Sequence, residues 1–188
     1  RTFEYLDLTA FPNLENIEAT GCRSLVEVRC KNDQNNPIEL NGAAFKECTS
    51  LTRIKGHLVL LGSEIFRNCS AFFLNTSDLY TQYGTDVFIP GDNATNITFG
   101  QDLTETYYMF ESCSTLSYND FKYLMVRLNS SITSLEGMFK NCIGISGDIW
   151  YDMFRPCPNV VTIKEAFSST KLSVRSFLEL QTTVLLKI

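Results

Sequence analysis

Hydrophobic residues recur every 11 positions along the N-terminal stretch of the chain, with polar residues between them. The four resulting columns are Phe3/Leu14/Leu25, Leu6/Ile17/Val28, Leu8/Ala19/Cys30 and Phe11/Cys22. A period this short leaves room for one short strand and one turn in each unit, and such a unit cannot bury its own apolar face. We therefore expect the units to stack, with the four columns facing inward.

A second pattern then takes over, in which Phe-x-x-Cys is followed three residues later by an apolar residue. Its copies are Phe45/Cys48/Leu51, Phe66/Cys69/Phe72, Phe110/Cys113/Leu116, Phe139/Cys142/Ile145 and Phe154/Cys157/Val160. A further version, at 166–172, has lost the cysteine. Phe110, Phe139 and Phe167 are 29 and 28 residues apart, which indicates a longer repeat in the C-terminal half. A second column in the same register is formed by Phe121, Trp150 and Phe177.

Together these patterns predict a repeat solenoid. Residues 3 to 175 would form one stack of short parallel β-strands, joined by return segments that are turns or short helices. We expect strands at 25–28 and 51–54, and return turns at 43–48 and 138–142. The Phe, Cys and Leu columns would form one continuous core rather than separate globular cores.

The whole chain, 1–188, is expected to be a single solenoid domain with four segments. These are 11-residue half-repeats at 1–36, longer repeats at 37–74, a degenerate repeat or insertion at 75–100, and 28/29-residue repeats at 101–188. Because the chain starts at Arg1 rather than at methionine, we expect it to be a processed form or a piece of a larger protein. The apolar residues 184–188 would then continue into that protein or be covered by a partner subunit.

The charge of the chain bears on its partners. A net charge of −5 argues against nucleic acid, which proteins hold mainly through Lys and Arg contacts to phosphate. No apolar run approaches the ~18 residues that a membrane helix needs, so we expect no membrane insertion.

Seven cysteines invite a disulfide or metal interpretation, but their spacing favours buried, reduced thiols. Six lie at the motif position and Cys30 lies in an inward column. Stacked side chains point in parallel, so their Cβ atoms stay ~4.8 Å apart rather than the ~3.8 Å that a disulfide prefers. No Cys-x-x-Cys pair occurs, and we place the only histidine, His57, at the surface where a strand starts. We therefore assign no catalytic residue, no metal site and no cofactor.

Five Asn-x-Ser/Thr sequons occur, at Asn68, Asn75, Asn93, Asn96 and Asn129. Asn68 lies inside a buried-cysteine motif, where a glycan would clash. Because the chain is rich in Asn, Ser and Thr, polar loop composition is the favoured interpretation over glycosylation.

The segment 43–54, Ala-Ala-Phe-Lys-Glu-Cys-Thr-Ser-Leu-Thr-Arg-Ile, resembles the consensus of the BspA-like leucine-rich repeats. The Met-Phe-x-x-Cys sequences that begin at Met109, Met138 and Met153 resemble it as well, and 14–30 has the L-x-x-L-x-L-x-x-N/C spacing of leucine-rich repeats. The resemblance covers about residues 3–175, with a gap near 75–100. Such repeats occur in bacterial surface adhesins, protist surface proteins and phage virion proteins. The resemblance implies binding and display, and it carries over no catalytic residue.

We therefore expect a non-enzymatic recognition or adhesion module, extracellular on a cell surface or on a virion, that binds protein or glycan through the outward face of the strands. Candidate outward residues alternate with the core columns: Glu15, Glu18, Glu27, Arg29, Arg53 and Lys55. Tyr107 and Tyr108 form a second candidate, since aromatic residues favour interfaces, although one ring could belong to the core.

Two alternatives stay open. The chain could be a structural component of a phage particle or another large assembly, in which neighbouring subunits cover the ends of the repeat. It could also be a glycan-cleaving enzyme, but that chemistry needs two carboxylates ~5 to 9.5 Å apart, and no motif places such a pair.

Overall fold

The computed structural model describes residues 3–11, 14, 16–31, 35, 37–74, 95–149 and 151–174. Within these ranges the chain is a mostly sheet, parallel-strand fold with one α-helix and no closed barrel. The strands are β1 (Tyr5–Asp7), β2 (Glu27–Arg29), β3 (Ile38–Leu40), β4 (Arg53–Leu60), β5 (Thr95–Phe99), β6 (Ser146–Ile149) and β7 (Lys171–Val174). The α-helix, α1, spans Tyr118–Met125, and a 3-10 helix spans Tyr151–Phe154. The prediction of short parallel strands is confirmed.

Strand β4 is the centre of a five-stranded parallel sheet. Its first half pairs with β2, which pairs in turn with β1, and its second half pairs with β3 on one side and β5 on the other. Gly56 lies where β4 passes from one partner to the other, at a φ of +133° that favours glycine. A Cβ there would lie 2.8 Å from Cβ of Cys30, so the close approach of the two strands also requires glycine.

Six return turns stack beside the strands and form what we call the turn ladder. Its rungs are 19–22, 43–48, 64–69, 107–113, 136–142 and 164–170, and parallel backbone hydrogen bonds join each rung to the next. The N–H of Phe110, for example, donates to the carbonyl of Met138 at 3.0 Å. In five rungs the residue before the cysteine has a positive φ: Gly21, Glu47, Asn68, Ser112 and Asn141. The return turns predicted at 43–48 and 138–142 are confirmed.

Phenylalanine rings stack along the inner side of the turn ladder. Successive ring centroids are 5.9 Å apart from Phe45 to Phe66, 5.4 Å on to Phe110, 5.8 Å to Phe139 and 6.2 Å to Phe167. Adjacent planes lie within 15° of parallel. These rings belong to a single hydrophobic core that runs from Leu8 to Ala166, so the prediction of one continuous core is confirmed.

Phe154 does not occupy the place in this stack that its motif predicts. It ends the 3-10 helix and meets Phe167 edge-on, at 6.3 Å and 70°, while Phe167 takes the stacked position. The physical reason lies at Pro156, which precedes Cys157. The other cysteine turns need a positive φ at that place, and the proline ring fixes φ near −65°.

Each stacked cysteine binds the rung before it. The Sγ atoms of Cys48, Cys69, Cys113 and Cys142 donate to the carbonyls of Ala19, Phe45, Phe66 and Phe110, at 2.9–3.1 Å. Each of these carbonyls also accepts the backbone N–H of the cysteine in its own turn. The Phe carbonyl of a Phe-x-x-Cys turn thus accepts two hydrogen bonds, one from the Cys N–H of its own turn and one from the thiol of the next turn.

Three inward positions predicted in the N-terminal columns are wrong. Phe3 and Phe11 are 76% and 59% exposed, and Cys22 is exposed. Cys22 lies on the first rung of the turn ladder, so no earlier described turn covers its sulfur. Cys30, by contrast, is buried as its column predicts.

Helix α1 contacts strand β5 through the side chain of Tyr123. Ser117 caps the helix by accepting the N–H of Asp120, whose carboxylate accepts the N–H of Ser117 in return. The hydroxyl of Tyr123 then accepts the N–H of Ile97 at 3.0 Å, a group that would otherwise lack a strand partner.

Bridges from Glu105 to Ser134 and on to Thr162 follow the predicted 29- and 28-residue register.

Some predictions concern residues outside the described ranges: Glu15, Asn75, Asn93, Trp150, Phe177 and the tail 184–188. Of the segment 75–100, only its end is described, where β5 joins the sheet. In the described part of the chain, no helix is long and apolar enough to cross a membrane.

Candidate recognition surface

Six residues of β1, β2 and the first half of β4 share the outer face of the sheet. The strand register places them in two rows, Tyr5–Glu27–Arg53 and Asp7–Arg29–Lys55. Alternate residues of a strand point to opposite faces, and the residues between them, Leu6, Val28 and Ile54, belong to the core side. We call these six residues the basic face: Tyr5, Asp7, Glu27, Arg29, Arg53 and Lys55.

Glu27 lies at the centre of the basic face. One carboxylate oxygen accepts Nε of Arg29 at 2.8 Å and lies 3.4 Å from Nζ of Lys55, and the other accepts Nε of Arg53 at 2.7 Å. The hydrogen bond from Arg29, with those from Arg53 and Lys55, lowers the pKa of Glu27 from its ordinary value to about 2, against the opposing effect of burial. Glu27 thus lies on the outer face of the sheet, but its side chain is only 4% exposed, because three basic side chains close over it.

The side chains of Arg29 and Arg53 are partly exposed, and their terminal amino groups are not used by Glu27. Their side chains are 55% exposed at Arg29 and 38% exposed at Arg53, and Lys55 is more covered, at 20%. Each arginine contacts Glu27 only through its Nε, and no second carboxylate among the described residues forms an ion pair with either arginine. The terminal amino groups of both guanidinium groups therefore remain available to a ligand.

Tyr5 and Asp7 complete the basic face on the edge strand β1. The Tyr5 residue is 65% exposed, and the carboxylate of Asp7 accepts the N–H and hydroxyl of Thr9 at 3.0 and 2.6 Å. These hydrogen bonds lower the pKa of Asp7. A groove of about 180 Å³ is lined by residues of the paired strands β1 and β2: Tyr5, Leu6, Asp7, Glu27 and Arg29. Sequence reasoning missed Tyr5 and Asp7, although both lie 22 residues, two 11-residue periods, before Glu27 and Arg29.

The outer side of the turn ladder carries a different arrangement, which we call the charged ladder. It consists of Arg23, Lys46, Arg67, Lys140, Lys164 and of Glu47, Glu64, Glu111, Glu136, Glu165. Every member forms an ion pair with another, for example Lys46 with Glu64 at 2.9 Å. Five cations thus face five carboxylates, and the charge of this surface is balanced internally.

Tyr107 and Tyr108 lie on the charged ladder, and neither ring is in the core. Tyr107 is 40% exposed and meets Tyr108 edge-on at 4.3 Å. The Tyr108 ring lies between Arg67 and Lys140, whose charged groups are 5.0 and 5.6 Å from its centroid. It packs directly on Gly137, where a Cβ would come within 2.3 Å of the ring. The pair therefore lies apart from the basic face.

Glu18 is also separate from the basic face. It is exposed and lines a second groove, of about 280 Å³, with Asn16, Thr20 and Asn41. Asn16 bridges to Glu39 of β3, so this groove borders a different strand. Of the predicted site residues, the structure brings together Glu27, Arg29, Arg53 and Lys55, and it leaves Glu18 and the two tyrosines elsewhere.

The buried thiols are held in their neutral form. Burial raises the pKa of Cys30 and Cys142 to about 12 and that of Cys48 and Cys157 to about 11, and it also raises the pKa of Cys69 and Cys113. All seven cysteines are free thiols. Among the described residues, no group of three or more His, Cys, Asp or Glu side chains could hold a metal ion.

His57 is not at the surface, and the sequence-based placement at a strand start is wrong. It lies in the middle of β4 and is only 8% exposed. Its Nε2 is 2.9 Å from the hydroxyl of Thr98 on the adjacent strand β5. This side chain therefore helps to join two strands.

Two of the five sequons carry asparagines that the fold already uses. The amide nitrogen of Asn129 donates to the carbonyls of Phe99 and Gly100 at 3.3 and 3.0 Å. The amide oxygen of Asn96 accepts the hydroxyl of Tyr123 at 3.1 Å. These contacts agree with the interpretation of the sequons as polar structural positions.

Comparison of the chain with protein-family models, with curated proteins and with solved structures found no significant match.

Proposed function

We propose that this chain is a BspA-like leucine-rich-repeat solenoid that acts as a non-catalytic recognition module. It would be displayed on a cell surface or on a virion and would bind a protein or glycan. The basic face is the proposed binding surface, so the candidate binding residues are Arg29, Arg53, Lys55 and their neighbours.

The regularity of the turn ladder supports the solenoid. Its rungs repeat the same local geometry, with a left-handed residue before the cysteine and a thiol bonded to the previous rung. Each rung contacts mainly its two neighbours, so stability would be a sum over adjacent repeats. Such an array fixes its inward residues by packing and leaves the outward ones free for binding.

The observation that carries the function is the contrast between two charged surfaces. On the charged ladder, each cation meets a carboxylate within the array. On the basic face, Arg29, Arg53 and Lys55 all pair with one buried carboxylate, Glu27, while the second carboxylate, Asp7, accepts hydrogen bonds from Thr9. The terminal amino groups of the two partly exposed guanidinium groups keep donors for a ligand. A chain of net charge −5 that gathers cations on one sheet face has a surface suited to an anionic or hydrogen-bond-accepting partner.

The chemistry of the side chains supports a non-catalytic role. Six thiols are buried with raised pKa values, so they are poor nucleophiles at neutral pH. His57 is buried next to Thr98, and Glu27 is held ionised by its basic neighbours.

The test is a binding screen with variants of the basic face. The 188-residue chain is immobilised and probed with purified extracellular-matrix proteins and a glycan array. The test variant is Arg29→Gln/Arg53→Gln, and the matched control is Arg23→Gln/Lys164→Gln, which removes two exposed cations of the charged ladder. We expect at least one ligand whose signal falls about tenfold or more in the test variant and stays unchanged in the control, since a charge-assisted hydrogen bond contributes ~1.5–3 kcal/mol.

Loss of binding in both double variants would show that general surface charge, not the basic face, is responsible. If no ligand depends on the basic face and the chain instead assembles into large particles by light scattering, the structural-component alternative is favoured.

A further inference from the structure

We infer that the basic face recognises a sugar residue that carries a single carboxylate, such as a hexuronic or sialic acid. This inference rests on the proposed function and names the chemical class of its ligand. The two free guanidinium groups would bind the carboxylate, and the Tyr5 ring would contact the apolar side of the sugar ring.

The arginine geometry provides the carboxylate site. Glu27 holds Nε of Arg29 and Nε of Arg53 at 2.8 and 2.7 Å, which orients both planar groups from the same central anchor. Their terminal N–H groups can then donate to a second carboxylate, the acceptor that matches guanidinium geometry best. Because Glu27 has already ordered both side chains, a ligand bears less of the entropic cost of fixing them.

The acidic neighbours limit the ligand to one negative charge. Glu27 lies beneath the arginines, and Asp7 lies in the same row as Arg29 and Lys55. A peptide with several Asp or Glu residues would bring further carboxylates toward these two groups and be repelled. A sugar offers one carboxylate surrounded by hydroxyl groups, and a hydroxyl can donate to an Asp7 carboxylate that already accepts from Thr9.

The groove provides the third contact. Tyr5 is 65% exposed on the same face and lines the groove that Arg29 and Asp7 also line. An aromatic ring next to hydrogen-bonding groups suits a ligand with an apolar C–H face and polar edges. The charged ladder also carries an exposed ring, Tyr107, but its cations are all paired with carboxylates, and Tyr108 is covered by Arg67 and Lys140.

The experiment is an NMR titration of the 15N-labelled chain, which reports on the arginine Nε–H signals directly. The probes are methyl β-glucuronide and methyl α-sialoside, with methyl β-glucoside as the neutral control and a tetra-glutamate peptide as the acidic control. We expect at least one acidic sugar to bind about tenfold more tightly than the glucoside. Raising the ionic strength from ~0.05 to ~0.5 M should weaken only the acidic sugars.

Matched variants test each part of the site. Arg29→Gln or Arg53→Gln should abolish the preference for acidic over neutral sugar, and Tyr5→Ala should weaken both about threefold or more. Arg23→Gln and Tyr107→Ala, which change an arginine and a tyrosine on the charged ladder, should leave binding within about twofold. Thermal midpoints within a few degrees of the parent chain would show that each variant folds.

Three outcomes would overturn the inference: equal binding of glucuronide and glucoside, tighter binding of the glutamate peptide than of either acidic sugar, or no binding of any sugar. If no sugar binds while a protein ligand in the broader screen depends on Arg29 and Arg53, the recognition function stands and only the ligand class is wrong. If neither class depends on these arginines, both proposals fail.

Discussion

Replacing Phe139 with alanine should lower the free energy of unfolding by about 4 kcal/mol. The ring is fully buried and lies between Phe110, at 5.8 Å, and Phe167, at 6.2 Å, with Phe121 edge-on at 5.3 Å. A buried Phe→Ala change costs ~3–5 kcal/mol through lost burial and the cavity that remains. Aromatic pairs contribute ~0.5–1.5 kcal/mol each beyond burial, so a ring with three partners belongs in the upper half of that range.

Phe154 provides a comparison within the same chain. It is 7% exposed, and its described aromatic contact is one edge-on meeting with Phe167. Phe154→Ala should therefore cost ~1 kcal/mol less than Phe139→Ala. A Phe110→Ala/Phe139→Ala double-mutant cycle should give a coupling energy of ~0.5–1.5 kcal/mol, because the two rings are direct neighbours in the stack.

Urea unfolding followed by far-UV circular dichroism measures all of these changes, and equal m-values would show that the variants unfold by the same transition. The reasoning would be refuted if Phe139→Ala cost under ~1.5 kcal/mol, or less than Phe154→Ala. It would also be refuted by additivity of the Phe110 and Phe139 substitutions, since stacked neighbours must couple.

Further predictions concern charge, thiols and an asparagine. Because the fold lowers the pKa of Glu27 from its ordinary value near 4.5, the ionised carboxylate stabilises the fold at a pH above 4.5, and this contribution is lost as the pH falls toward about 2. Glu27→Gln should therefore lower the free energy of unfolding by ~1–3 kcal/mol at pH 7 and make it depend less on pH between 5 and 2. A variant with the same pH dependence as the parent chain in this range would contradict the ion-pair geometry. A thiol reagent used without denaturant should label Cys22 alone among the seven cysteines, as measured by mass mapping. Labelling of Cys113 or Cys142 in the native state would contradict their burial in the turn ladder. Asn129→Ala should lower the free energy of unfolding by ~1–2 kcal/mol, because it removes the hydrogen bonds to Phe99 and Gly100. After expression in a glycosylating host, the intact mass should show no glycan at Asn129. A glycan at this site would exclude these bonds.

The turn ladder could be predicted from sequence because its chemistry is local. Phe-x-x-Cys closes its own turn through a hydrogen bond from the Cys N–H to the Phe carbonyl, so the motif marks a return turn wherever it can form. Its repetition then identifies which residues stack, as the rings of Phe45, Phe66, Phe110 and Phe139 do. At Phe154 the turn still closes, through the N–H of Cys157 to the carbonyl of Phe154 at 3.0 Å. Pro156, however, cannot take the positive φ found before the stacked cysteines, and the ring of Phe154 lies outside the stack.

The environment of a side chain depended on the tertiary structure. The alternation of Val28 with Glu27 and Arg29 was visible in the sequence and assigned the outward face correctly. The offset of 26 residues between Glu27 and Arg53, however, matches neither the 11-residue period nor the 28/29-residue one. It equals the 26-residue spacing of the motif cysteines Cys22 and Cys48, but the motif alone does not say that these two copies lie side by side. The register in which β2 pairs with β4 decides this, and it places three cations around one carboxylate. Periodicity fixes which way a side chain points, because strands alternate, but only the lateral pairing of distant segments decides which charges meet.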